Sequence, residues 1–237
     1  MNDYSYIDRN VDSVRERIAR AAQAAGRCES DITLLAAVKY ADAGEIRHLY
    51  ECGIETVGEN RVQQFLEHSE DEAYKRFKVH FIGTLQTNKV KYIAGKVACI
   101  ESIDSEKLAA EIDKQSKKLG VTTDVLCEIN CGREENKSGV FPENAEEFCE
   151  EIAKYENLRL CGFMTMAPAG SKSDEYRKYF SETYRLALDI WQKNIHNIRG
   201  DLKAQPIISM GMSGSFEEAI LEGATVVRVG RSLFEKN

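Results

Sequence analysis

Proline is scarce, three residues in 237, and no Pro/Gly/Ser-rich stretch, low-complexity tract or internal repeat interrupts the chain. Without a linker, this length suits one large α/β unit, because barrels of this size routinely form around one core. Residues 1–237 are therefore expected to make a single domain. Long apolar runs are missing too: none approaches the roughly 20 residues that cross a bilayer. The N-terminal segment scatters Asp3, Asp8, Arg9 and Asp12 among its apolar residues, unlike the basic start and apolar stretch of a signal peptide. A soluble, cytoplasmic protein is expected. The seven cysteines form no C-x-x-C pair, and Cys127-x-x-x-Cys131 has no second pair to complete four ligands. They are expected to be reduced thiols, mostly buried, and no metal centre is expected. A surplus of positive charge is also lacking. With a formal net charge of −7, the chain has no electrostatic pull toward nucleic acid or anionic membrane, which leaves small-molecule chemistry.

What the chain does contain is alternation. Short β-branched or apolar runs occur at 33–38, 55–58, 79–82, 98–101, 124–130, 159–164, 206–209 and 225–229. Amphipathic stretches lie between them, at 43–52, 60–77, 105–119, 142–155 and 174–191. Such alternation marks a parallel sheet with helical crossovers, and eight strands is a barrel number. The expected fold class is α/β, a single (β/α)8 TIM barrel. An open doubly wound sheet would show the same periodicity. Ser105 and Pro142 stand where helices start, and Gly53 and Gly120 where helices stop. Before the first strand, Ile7, Val11, Val14, Ile18 and Ala22 make one stripe of an extra helix over about 4–26, expected to pack on the barrel.

Reactive groups of such barrels sit where strands end. Lys39 closes the run Leu34-Leu35-Ala36-Ala37-Val38, so its amine is delivered from an apolar strand into the barrel mouth. Desolvation there would favour the neutral, nucleophilic amine, although a lysine at a strand end also snorkels to water. At the far end of the chain, Ser209-Met-Gly-Met-Ser-Gly-Ser215 follows strand seven and leads into a short helix over 216–222, and strand eight ends in Val229-Gly230-Arg231-Ser232. Loops after strands seven and eight of a barrel frequently bind phosphate, because glycines let backbone N–H groups approach an anion. A Gly/Ser-rich loop alone is more often a plain turn. A lysine on strand one combined with a phosphate cup after strands seven and eight describes how pyridoxal 5′-phosphate (PLP) is held. Arg228 is then the candidate partner of the pyridine nitrogen, which it would leave unprotonated and weakly electron-withdrawing. A structural ion pair is the alternative reading of that arginine.

Gly58-Glu-Asn60, Val79-His-Phe-Ile-Gly83 with Leu85-Gln-Thr-Asn-Lys89, Gly162-Phe-Met-Thr165, Ser209-Met-Gly-Met-Ser213 and Arg228-Val-Gly230 resemble the pyridoxal phosphate homeostasis proteins. The resemblance spans nearly the whole chain. It implies a barrel like the N-terminal domain of alanine racemase and Lys39 as the Schiff-base residue. It also implies phosphate binding by Ser213, Gly214, Gly230 and nearby backbone, with Ser209, Asn60 and Arg228 as further cofactor-binding residues. Tyr40, Thr84 and Ser215 depart from the pattern, where Thr, His or Pro, and Asp are more usual.

Racemisation needs an acid/base on each face of the substrate, and in alanine racemases the second group comes from an additional β domain. The chain ends shortly after the phosphate motif, so a carrier of PLP is expected rather than an enzyme, with apoenzymes as partners and a monomeric state. A racemase or decarboxylase using His80 or Tyr40 as a second base is the alternative, and a Schiff-base aldolase a third. His80, inside strand three, reads as a satisfied core residue. The Lys89, Lys91, Lys96 and Tyr92 run and the acidic segment 143–151 read as solvated helix faces.

Overall fold

Thr33–Ala37 buries its consecutive residues Leu35 and Ala36, as a strand packed on both faces does, and the computed structural model makes it the first of eight parallel strands in a closed barrel. The structure describes residues 3–194 and 205–236. The strands are β1 Thr33–Ala37, β2 Thr56–Glu59, β3 Lys78–Phe81, β4 Cys99–Ile103, β5 Thr123–Ile129, β6 Leu158–Thr165, β7 Ile207–Ser209 and β8 Val226–Val229. The helices are α1 Ser5–Ala24, α2 Ala43–Glu51, α3 Val62–His68, α4 Glu106–Leu119, α5 Ala145–Ala153, α6 Ser173–Asn194, α7 Phe216–Leu221 and α8 Arg231–Phe234. The barrel closes where β1 pairs with β8, Leu35 beside Arg228 and Ala36 beside Val229, which rules out the open doubly wound sheet.

Alternation sorts each strand into two faces. Ala36, Val57, Phe81, Ile100 and Val229 join the large core between strands and helices. Leu35, Ile82 and Val226, with a second group of Cys99, Leu126 and Met164, form separate clusters that fill the barrel interior. Small residues fit where elements press together. A Cβ on Gly162 would lie 2.0 Å from the Ile207 carbonyl oxygen, so β6 can approach β7 only with glycine there.

The stripe of α1 is buried as its spacing requires, Ile7, Val11, Val14, Ile18 and Ala22 each at 2% exposure or less. Each of the isoleucines and valines contributes roughly 1.5–3 kcal/mol. Polar contacts fix where α1 lies: Arg17 pairs with Glu217 at 2.6 Å and stands over the Phe216 ring, and Asn10 donates to the Leu233 and Glu235 carbonyls at 3.2 and 2.9 Å. The helix thus clasps α7 and α8. At α2, Asp42 and Glu45 form a reciprocal capping box. Gly53 and Gly120 follow their helices with φ of 74° and 67°, the left-handed stop their positions suggest.

Several expected helices are shorter or broken. The single helix expected over 60–77 is α3 followed by a 3-10 turn at Tyr74–Arg76. The Ser69 hydroxyl donates to the Leu66 carbonyl and the Asp71 carboxylate accepts from the Ala73 N–H, so side chains take over the backbone partners a continuing helix would use. Pro142 opens a 3-10 turn that precedes α5, and Ser105 precedes α4 without a side-chain capping bond. Between β3 and β4 the crossover is a 3-10 segment, Thr87–Tyr92, which exposes Lys89, Lys91 and Tyr92. The acidic face of α5 is solvated as expected, over buried Ala145, Phe148, Cys149 and Ile152. Of the seven free thiols, four are buried and Cys28 is exposed. Among the described residues, no helix is long and apolar enough to cross a membrane.

Candidate functional site

Parallel strands bring all their C-terminal ends to one mouth, and there a cleft of about 650 Å³ opens beside the β1–β8 seam. Lys39, Ser213, Gly214, Arg228 and Gly230 line it, together with Tyr40, Glu45, Met212 and Arg231. Residues nearly 200 positions apart therefore share one wall, because Ala37 and Gly230 come side by side: a Cβ on Gly230 would stand 3.1 Å from the Ala37 carbonyl oxygen.

Leu35, Ala37 and Lys39 fall on one face by the two-residue period, which aims the lysine into the mouth. Lys39 is nevertheless exposed, so the desolvation expected after an apolar strand is not found. The reason is local. Pairing on β1 stops at Ala37, the chain turns at Lys39 and Tyr40, and the Tyr40 ring, 85% exposed, stands 4.9 Å from the Lys39 Nζ. Gln64 of α3 donates to the Lys39 carbonyl at 2.6 Å and steadies that turn.

Across the cleft, the Ser213 hydroxyl oxygen accepts from the Gly230 and Ser232 N–H groups, both at 3.3 Å. A Cβ on Gly214 would meet nothing within 4 Å, so that backbone faces open space. The cup is thus a serine hydroxyl, a bare glycine and the N–H groups that open α8. Ser215 is buried and not at the cleft; its hydroxyl accepts from the Met212 N–H at 3.2 Å and braces the loop from within.

Beneath the cleft runs a buried polar chain. Arg228, 4% exposed, donates to the Ser209 hydroxyl and to the Thr165 carbonyl, both at 2.8 Å. Ser209 donates to Glu101 at 2.6 Å, and the other Glu101 oxygen meets His80 Nδ1 at 2.6 Å. Burial would raise the Glu101 carboxyl, but the hydrogen bond and charge of His80, the charge of Arg228 and the Ser209 hydroxyl outweigh it and hold it below its ordinary range. Burial likewise pulls Arg228 down, against the opposing pull of Glu101 and Glu128. Glu128 on β5 has no such support. Burial, reinforced by the charge of Asp104 and only partly offset by Arg228, raises its carboxyl to about 7.

The model of the family described as alanine racemase, N-terminal domain, matches residues 9–237. The chain belongs to this family. One relative is the pyridoxal phosphate homeostasis protein of Aquifex aeolicus (strain VF5), 44% identical over 221 residues, which are 93% of this chain and 94% of that protein. Among solved structures, an unknown protein from Bifidobacterium adolescentis superposes with a TM-score of 0.88 at 33% identity, covering 99% of this chain and 97% of its own. PipY of Synechococcus elongatus PCC7942, solved with PLP bound, superposes with a TM-score of 0.78 at 27% identity, covering 92% of this chain and all of its own.

Within this alanine racemase N-terminal family barrel, the structure gathers five of the seven candidate residues at the cleft. Ser209 lies below them, joined through Arg228. Asn60 does not line the cleft; it follows β2 with its Oδ1 buried and without a partner. Thr84 is farther off, its hydroxyl 3.1 Å from that of Ser138. The residues that motif reading missed are Glu101 and Glu128, which carry the buried charges facing Arg228. Their signal in the sequence is an acidic residue next to apolar ones within a strand, Ile100-Glu101 and Cys127-Glu128-Ile129.

Proposed function

We propose that this chain binds PLP in the cleft, with Lys39 as its Schiff-base residue, and acts in intracellular homeostasis of the cofactor by storing it and delivering it to apoenzymes. The observation that carries the reading is the convergence of Lys39, at the end of β1, and one cup of backbone N–H groups on the two walls of a single cleft. The names of relatives support it, since pyridoxal phosphate homeostasis proteins match along nearly their whole length and PipY was solved with PLP.

The residues suit the molecule. Open space beside Gly214 and the Gly230 and Ser232 N–H groups, now turned to the Ser213 hydroxyl, fit a phosphate. When bound, PLP would supply an aldehyde for the Lys39 amine. Arg228, fixed by Ser209 and Thr165, offers donors only, so a ring nitrogen facing it keeps its lone pair and withdraws electrons weakly. Ser213, Gly214 and Gly230 would hold the phosphate, and Ser209 holds Arg228 in place. His80, bound to Glu101 inside the barrel, does not line the cleft, so it does not face a substrate held there as a second base, which favours a carrier over a racemase. The proposal extends to one PLP-binding domain over 1–237, acting as a monomer in the cytoplasm without nucleic-acid or membrane partners.

The test is an absorption spectrum of protein mixed with PLP, then borohydride reduction and peptide mapping. A yellow species and a pyridoxyl group on Lys39, both absent in Lys39→Ala, are expected. An unmodified Lys39 would overturn the site, and turnover of an amino acid that is lost in Lys39→Ala would overturn the carrier reading.

A further inference from the structure

A second constellation lies away from the cleft, between α1 and α2. Asp8 Oδ1, His48 Nε2 and Cys52 Sγ lie within 4.8 Å of one another. His48 and Cys52 are four residues apart and so project from one face of the helical turn that ends α2; Asp8 reaches them from α1. Asp8 Oδ1 is 3.0 Å from His48 Nε2 and 3.3 Å from Cys52 Sγ. A tetrahedral zinc ion with bonds of about 2.0–2.3 Å holds its ligand atoms at comparable separations.

The imidazole is oriented for this task. Glu51 Oε2 lies 2.9 Å from His48 Nδ1, and the Tyr4 ring stacks on His48 at 5.3 Å. A carboxylate that holds the proton on one ring nitrogen turns the lone pair of the other outward, the arrangement that fixes metal-binding histidines. Here the freed Nε2 points at a second carboxylate and a thiol. His48 Nε2, Asp8 Oδ1 and Cys52 Sγ thus close on one small volume, with Glu51 behind the ring. His48 is mostly buried, with 18% of its side chain exposed, while Asp8 at 54% leaves a path from solvent.

We propose that Asp8, His48 and Cys52 bind a borderline divalent ion of the zinc type, with water in the fourth position and Glu51 as the positioning residue. Binding releases the Cys52 thiol proton, and the second imidazole proton where present, to solvent; the ion takes their place and ties α1 to α2. No redox change is involved. The site lies apart from the PLP cleft, so this proposal stands or falls independently of the cofactor.

Cobalt(II) is the probe, because thiolate ligation gives it a near-ultraviolet charge-transfer band. The full chain should develop that band to saturation at one equivalent of Co²⁺ and lose it when Zn²⁺ is added. Cys52→Ser should abolish the band, Glu51→Gln should weaken binding about 10- to 100-fold, and Cys28→Ser, at the exposed thiol, should leave it unchanged. Circular dichroism establishes that each variant is folded. Absence of the band, its survival in folded Cys52→Ser, or its loss in Cys28→Ser would overturn the proposal.

Discussion

Replacing Glu128 by Gln keeps the shape of the side chain and removes a charge that the folded barrel holds at a cost. Glu128 is 3% exposed, and burial, together with Asp104, raises its carboxyl from an ordinary 4.5 to about 7. A rise of this size at about 1.4 kcal/mol per pH unit corresponds to about 3 kcal/mol when the group is fully ionised. Between pH 4.5 and 7 the folded chain binds more protons at this site than the unfolded chain does. Its contribution to stability is therefore complete at low pH, declines as pH rises through that window, and is gone above it. Glu128→Gln should be more stable than the native chain near pH 8 by up to about 3 kcal/mol, and close to equal near pH 4.5. Urea unfolding at the two pH values measures this, with an unchanged m-value as the sign that the denatured state is the same. A variant no more stable than the native chain near pH 8 would refute the account and mean that Glu128 is engaged by Arg228 strongly enough to be held ionised.

Other perturbations follow from geometry. Gly230→Ala sets a methyl 3.1 Å from the Ala37 carbonyl oxygen and 3.3 Å from its Cβ, and should weaken PLP binding about tenfold, or about 1.4 kcal/mol, in an equilibrium titration, while the barrel still folds. Gly162→Ala places its Cβ 2.0 Å from the Ile207 carbonyl oxygen, a backbone contact that cannot yield, and should destabilise by about 3 kcal/mol or more in thermal unfolding. Ile7→Ala in α1, with the native side chain fully buried, should cost about 2–5 kcal/mol in the same assay.

The barrel was legible because each strand is a short apolar run and several crossovers carry a start or stop signal, as at Gly53 and Gly120. The ends of the site were legible for the same reason. Lys39 directly follows its strand, and Ser213 and Gly230 stand in loops whose composition marks an anion cup. What was not legible depends on closure. Ser209 meets Glu101 across 108 residues and Arg228 across 19, and no local pattern announces such a pairing. The helix expected over 60–77 failed because apolar spacing persists through a stretch where Ser69 and Asp71 bind backbone themselves. The position of Lys39 left two readings open, desolvation behind an apolar strand or snorkelling to water, and its exposure is set by where pairing stops.

The seam at which β1 meets β8 also has a mechanical meaning. Any molecule that touches both Lys39 and the Ser213–Gly230 cup bridges the joint at which the last strand closes on the first, so its binding energy opposes parting of that seam and not merely motion of a loop. Hydrogen exchange of the β1 and β8 amides should then slow together when the cleft is filled, as two sides of one latch.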